Sequence, residues 1–342
     1  MVKPARWLVL VLFTVALCEA VFFIWFSAPE RPDVQRRAEL IVGSGIWQEP
    51  ITPIPIALNL DLRKVALGRR LFYDPLFSRG NNIACADCHN LATGGQDGLL
   101  HSTDVDGKQG KINTLTVLNS GSNFRLFWDG RAATLEDQVE FPVPHAPEMD
   151  TTWSEVTERL EKDAVYRRDF LAIYRNGIGP ESVKDAIAAF ERSLTTPNSK
   201  FDRFLRGDMH ALDSEELAGY ELFKSLGCIS CHQGRNAGGN MYEKLGLVEN
   251  YFENRGNVQK VDFGRYNATG KEEDRYEFRV PSLRNVALTA PYFHDASART
   301  LEQAVATMAK YQLGVDLSGD EIIRIVKFLD TLTGVYQDRQ GK

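Results

Sequence analysis

Apolar residues recur at helical spacing along much of the chain, and no strong alternation of apolar and polar positions marks a half-buried strand. In "SEVTERLEKDAVYRRDFLAIY" the apolar positions are Val156, Leu160, Tyr166, Phe170 and Ile173, which predict a helix over 154–174. In "ESVKDAIAAFERSL", Val183, Ile187, Phe190 and Leu194 share one face and predict a second over 181–194. A shorter helix is expected at "RKVALGRRLFYD", 63–74. Asp213 and Glu216 have the spacing of a capping box, so a helix runs from there toward residue 228. Ser318 and Glu321 repeat the signal before Ile322, Ile325, Val326 and Leu329. Between these stretches, "TTPNSK" breaks the pattern and marks a domain boundary. A Gly-rich loop over 90–123 shows little periodicity, and a loop this long in a compact domain is usually functional.

The expected fold is therefore mainly α, with two similar domains over 54–196 and 197–342 that read as a duplication. A different segment precedes them. Residues 7–26, "WLVLVLFTVALCEAVFFIWF", are apolar apart from Glu19, and follow the basic "MVKPAR". Twenty such residues can span a bilayer, so 1–29 is expected to be a signal anchor and 30–53 a Pro-rich tether. The alternative is a signal peptide cleaved after a small residue near Ala20, leaving a soluble protein. The net charge of −6, without a long basic run, argues against a nucleic-acid partner.

Five cysteines sharpen the picture. Cys18 lies in the apolar segment; the others form two pairs, Cys85/Cys88 and Cys228/Cys231, each followed at once by a histidine, His89 and His232. Cys-x-x-Cys-His is the attachment pattern of haem c. Each thiol adds to one vinyl group, and the adjacent histidine ligates the iron. A four-cysteine zinc site needs no histidine after each pair. A redox dithiol would be expected near a βαβ pattern, which the chain lacks. An exported chain suits haem c, which is attached outside the cytoplasm. Two covalent haems are expected. The other face of each iron holds either a second ligand, which sets the potential, or an open position, which allows chemistry.

The stretches "LFYDPLFS", "CADCHNLATGGQDG", "NTLTVLN", "FWDGRAATLEDQ", "PEM", "CISCH", "FRVPSLRNVALTAPYFHDAS" and "QAVATMAKYQLG" occur in order from about residue 71 to 334. In these the chain resembles the bacterial di-haem cytochrome c peroxidases. The resemblance implies two cytochrome c-like domains, the first reducing hydrogen peroxide and the second taking electrons from a small donor protein. It makes His89 and His232 the proximal ligands and Met308 the distal ligand of the electron-transfer haem. His/Met ligation raises the potential, as a store of reducing equivalents requires. Trp128 matches the tryptophan between the haems, and Glu148 and Gln138 the peroxide pocket, with Glu148 moving a proton between the peroxide oxygens. Asn113, Thr289 and Pro291 match a calcium site completed by water. His294 reads as a structural hydrogen-bonding residue. The implied setting is the periplasm, at the inner membrane if 7–26 stays attached. The implied donor is a small cytochrome c or cupredoxin, and a homodimer is in keeping with the family.

One position departs from the pattern. Many members carry a histidine about sixteen residues after the first proximal histidine, capping the peroxidatic iron until reduction releases it. Here the count lands on Val105, and the nearest histidine is His101. The expectation is a first haem without a histidine cap. Two rivals remain at this stage: a di-haem enzyme that oxidises residues of a partner protein, and a membrane-tethered di-haem electron carrier. The first would place tyrosine where Met308 stands. The second needs neither Glu148 nor Gln138.

Overall fold

The computed structural model describes residues 49–146 and 148–336. Segment 7–26 lies outside them, and among the described residues no helix is long and apolar enough to cross a membrane. Regular structure is mainly helical, as the periodicity predicts. Helix α1 spans Leu62–Phe72. The Asp61 carboxylate caps it by accepting the Arg63 backbone N–H at 2.9 Å. Arg69 and Arg70 occupy its last turn, where the helix dipole favours cations. Val65, Leu67, Leu71 and Phe72 are its buried side.

Helices α2 (Leu135–Val139), α3 (Trp153–Lys162), α4 (Ala164–Ile173) and α5 (Pro180–Ser193) follow. The single helix expected over 154–174 is two. Asp163 takes an extended conformation, and its carboxylate accepts the N–H groups of Val165 and Tyr166 at 2.7 and 3.2 Å. It ends α3 and caps α4 at once. The apolar spacing hides this break because Leu160 and Tyr166 face the same core cluster across it.

Helix α6 (Ser214–Ser225) opens with the predicted box: Glu216 N–H donates to Asp213 at 2.8 Å, and Asp213 N–H to Glu216 at 2.9 Å. Helix α7 (Leu301–Met308) widens at its end into one π-helical turn, Ala309–Leu313. Helix α8 (Gly319–Asp330) has the predicted Ser318/Glu321 box. Two strands, β1 (Tyr242–Lys244) and β2 (Glu277–Arg279), pair antiparallel with Glu243 opposite Phe278. At three residues each they are too short to show alternation in sequence.

Two helix pairs frame the fold, α1 on α5 and α6 on α8. Both cross backbone to backbone at a glycine. A Cβ at Gly68 would lie 1.8 Å from the Ala186 carbonyl oxygen, and one at Gly219 would lie 1.9 Å from that of Arg324. In each pair the earlier helix leads toward a Cys-x-x-Cys-His motif.

Residues 49–53, expected at the end of a tether, are docked instead, together with Ile54. Ile51 and Ile54 are buried, Thr52 N–H donates to the Gly234 carbonyl at 3.3 Å, and Ile54 N–H to Asp202 at 3.1 Å. Arg284 reaches Asp202 at 2.9 Å with both side chains fully buried, and also donates to the Thr52 carbonyl. Removing one partner of such a pair costs about 3–5 kcal/mol, because the other charge is left buried alone. The apolar pair Ile51 and Ile54 supplies the reason for docking; the Pro-rich composition obscured it.

Candidate functional site

The first motif forms a single turn, Cys85–Cys88, with His89 N–H donating to the Cys85 carbonyl at 2.9 Å. The chain then folds beneath the histidine through Gly94 and Gly95, both at positive φ. Gly95 needs its missing side chain: a Cβ there would meet Thr116 Oγ1 at 2.7 Å. The turn brings the Gly95 carbonyl to 3.3 Å from His89 Nδ1. The second motif repeats this, with His232 Nδ1 at 3.3 Å from the Ala237 carbonyl. A carbonyl at Nδ1 fixes that nitrogen as the donor and leaves the Nε2 lone pair free, the arrangement of a metal-ligating histidine. Burial lowers the pKa of both rings, that of His232 to about 4, so both are neutral near pH 7. A neutral imidazole is the form that ligates.

The thiols bear on the competing chemistries. Burial pushes Cys85 up to about 12 and Cys88 and Cys228 up to about 11. A redox dithiol needs the opposite shift. Among the described residues the two pairs do not converge on one metal position, so a four-cysteine zinc site does not form.

Cys228, Cys231 and His232 open onto a cavity of about 240 Å³ whose walls include Phe223, Leu226, Val305, Met308, Ile325 and Leu329. Met308 is the last residue of α7, where the helix widens. Such π-turns are frequent at functional sites. Arg279 also lines the cavity. It is 2% exposed, and among the described residues its guanidinium bonds only to the carbonyls of Phe127 and Val280. Among the described residues no carboxylate pairs with it. Burial lowers its pKa to about 10. A buried cation without an anion is costly, and a haem propionate would supply that anion. Thiols, neutral imidazole, apolar walls and an unpaired arginine all fit a covalent haem here. Arg279 escaped the reading of residues because nothing in sequence marks a lone buried arginine.

The same cavity gathers Trp128, Asn113, Thr289 and Pro291. Trp128 Nε1 donates to the Asn113 carbonyl at 2.9 Å, and Asn113 N–H donates to the His294 carbonyl at 2.8 Å. His294 is buried, with Nε2 2.6 Å from Asp262. Asp262, His294 and Asp295 cluster as metal ligands do. However, the Arg255 guanidinium pairs with both carboxylates, and the cluster carries its own cation.

The Glu148 charge adds to burial in pushing the Cys85 and Cys88 thiols up, and opposes burial at His89. Its carboxylate is 3.1 Å from His145 Nδ1. Gln138 is half-buried on α2, in the same stretch of chain. Val105 and His101 belong to a small hairpin in which Thr103 bridges Gln109. The Asp104 carboxylate ties its tip by accepting the Asp106 and Lys108 N–H groups at 2.9 and 2.8 Å. Arg79 clamps this tip to the Glu148 loop through Asp106 and Asp150.

Two half-buried histidines, each directly after a thiol pair and held by a carbonyl at Nδ1 within a mainly helical frame, are what a di-haem c protein requires. Residues 62–210 match the family model of the di-haem cytochrome c peroxidases. The chain is 46% identical over 297 residues to cytochrome c peroxidase Ccp of Escherichia coli (strain K12), covering 85% of this chain and 63% of that one. It is 43% identical to cytochrome c551 peroxidase of Nitrosomonas europaea, covering 85% of this chain and 86% of that one. Among solved structures, a MauG-like protein associated with microbial copper homeostasis matches with a TM-score of 0.70 at 28% identity, over 84% of this chain and 94% of that one. The chain belongs to the di-haem cytochrome c peroxidase family, and with it to the oxidoreductases that act on peroxide.

Proposed function

We propose that this protein reduces hydrogen peroxide to two waters in the periplasm, consuming two protons and two electrons from a small donor protein, a cytochrome c or cupredoxin. When attached, the two haems supply electron storage and the place where the O–O bond breaks. Cys85 and Cys88 hold the first and Cys228 and Cys231 the second, with His89 and His232 beneath them. Met308 would serve the second haem from the end of α7, just before the π-turn. Trp128 is the electron route between the two sites, held by its bond to Asn113.

Glu148 takes a proton from the nearer peroxide oxygen and gives it to the departing one, so that water rather than hydroxide leaves. Gln138 orients the oxygens. The observation that supports this reading is the tie from the Glu148 loop to the hairpin after the first motif, made by Arg79 through Asp150 and Asp106. An electron carrier has no use for an acid–base group. Val105 offers no ligand, so the first site is open to peroxide without prior reduction. Met308 on the cavity wall also weighs against the enzymes that place tyrosine there.

The Asn113 and Thr289 side chains and the Pro291 carbonyl suit one hard Ca²⁺ ion with water completing its shell. The matching crossings at Gly68 and Gly219 support a duplication. Segment 7–26 anchors the chain at the inner membrane, and a homodimer accords with the family.

Glu148→Gln tests the reading. Peroxidase turnover with a reduced small cytochrome falls by about 10²–10⁴-fold, the worth of a positioned acid–base group, while electron uptake by the second haem is unchanged. Retained turnover would make the protein a carrier or move the acid elsewhere.

A further inference from the structure

Each turnover of the proposed reaction consumes two protons, and they must come from solvent. Glu148 can pass a proton between the two peroxide oxygens, but that transfer brings in none. The side chain placed to supply them is His145.

His145 and Glu148 sit three residues apart in one tight turn. The His145 carbonyl accepts the N–H groups of Glu148 at 2.8 Å and Asp150 at 3.2 Å, so the backbone sets the turn and the side chains are free to meet. They meet at 3.1 Å, Nδ1 to Oε1. The imidazole is 55% exposed and the carboxylate 41%. Both ends of the pair therefore reach water, the imidazole more than the carboxylate, and Arg79 ties the Glu148 loop to the hairpin that follows the first motif through Asp150 and Asp106. The remaining charged group acting on His145 is Arg131. That guanidinium is paired with Asp129 and lies over the rings of Phe127 and Phe141, so it competes little for Glu148.

We infer that His145 is a positioning residue and proton relay for Glu148, delivering solvent protons to the peroxide pocket. This rests on the acid–base role proposed for Glu148. In the relay step the imidazolium gives its Nδ1 proton to Glu148 Oε1 and becomes the neutral Nε2–H tautomer. The Nδ1–H bond breaks and an O–H bond forms; no electrons move. Water then returns a proton to the exposed ring. The hydrogen bond from Glu148, partly opposed by burial and by Arg131, raises the His145 pKa and keeps the ring charged at the pH where it must donate. Because the charged ring is the donor, turnover falls as pH rises through that raised value.

Two measurements on the holoenzyme test this. His145→Asn keeps the turn and a hydrogen-bond donor to Glu148 but cannot titrate. Its turnover is expected to drop about tenfold, less than loss of Glu148 because water can stand in for the relay, and the His145-dependent alkaline limb of the rate profile disappears. Independently of turnover, the pH midpoint of His145 acylation by diethylpyrocarbonate, read by mass spectrometry, lies above 6.5 in the wild type and shifts down in Glu148→Gln. If Glu148→Gln abolishes turnover while His145→Asn keeps the wild-type rate and pH profile, the relay is wrong and the role of Glu148 stands. If Glu148→Gln retains turnover, that role fails and takes the relay with it. An acylation midpoint insensitive to Glu148→Gln would also overturn the relay, since the two groups would not be coupled.

Discussion

Trp128 hangs from Asn113: the indole Nε1–H donates to its backbone carbonyl at 2.9 Å. Backbone holds this tryptophan on two further sides. Arg279 N–H donates to the Trp128 carbonyl at 2.9 Å, and the Arg279 side chain to the Phe127 carbonyl at 3.1 Å. The ring is therefore fixed in direction, as the proposed electron route requires. Trp128→Phe keeps an aromatic ring and removes the donor. The lost hydrogen bond is worth about 1 kcal/mol, so the fold survives. Peroxide turnover should fall at least tenfold (an order-of-magnitude expectation), with haem content, read as the pyridine haemochrome, at two per chain. Unchanged turnover would remove Trp128 from the path.

Met308 ends α7 at the point where hydrogen bonding widens to the π pattern. The widened turn is fastened from outside: the Tyr311 carbonyl accepts the Val248 N–H at 3.0 Å, and Gln312 Oε1 accepts the Leu247 N–H at 3.0 Å. The thioether is thus held against one cavity wall. Met308→Leu conserves volume at a cost below about 1.5 kcal/mol but removes the sulfur. Because a His/Met pair raises the potential, a redox titration should show the second haem shifted downward and the first unmoved. An unmoved second potential would return Met308 to the core.

Capping explains which helix starts were legible in sequence. Asp213/Glu216 and Ser318/Glu321 satisfy backbone donors within four residues, so their pattern carries its own physics. Asp163 uses the same chemistry, yet lies inside an unbroken apolar pattern and was hidden by it. The two Cys-x-x-Cys-His motifs stand out in sequence because thioether chemistry demands a short spacing. Arg279, the π-turn after Met308 and the docking of Ile51 and Ile54 do not, because each depends on partners far along the chain. Nothing in sequence marks the exposed His145; its distance from Glu148 is what singles it out.

Asp262 gives the protein an acid-sensitive contact. Burial pushes its carboxyl upward, but hydrogen bonds from His294, Arg255 and the Gln259 N–H outweigh this and hold it well below the usual carboxylate range. A depressed carboxylate stabilises the fold fully above its unfolded pKa, and that share is lost as pH falls through the carboxylate range toward the folded value. Asp262→Asn should lower the thermal midpoint at pH 7, because Arg255 and His294 lose their anion. It should also flatten the decline of the midpoint between about pH 5 and pH 3. Parallel decline in both proteins would assign the acid sensitivity to other groups.

Val105 raises the question of what closes the first haem. Its carbonyl accepts a long bond from Asn82 Nδ2 at 3.5 Å, and its side chain has no atom that can ligate iron. His101 precedes Ser102, which bonds to Asp97 at 2.7 Å and also contacts Cys88. The hairpin carrying both residues is tied internally by Asp104 and externally by Arg79. A shift that swung His101 onto the iron would have to loosen these ties. Ferric iron with an open or water-held position is high-spin, whereas two strong axial ligands make it low-spin. The EPR spectrum of the oxidised holoenzyme should therefore contain one high-spin and one low-spin signal, and His101→Ala should leave both unchanged. Peroxide should be reduced without prior treatment with reductant. Two low-spin signals, one becoming high-spin in His101→Ala, would make His101 the cap and restore reductive opening as the first step of turnover.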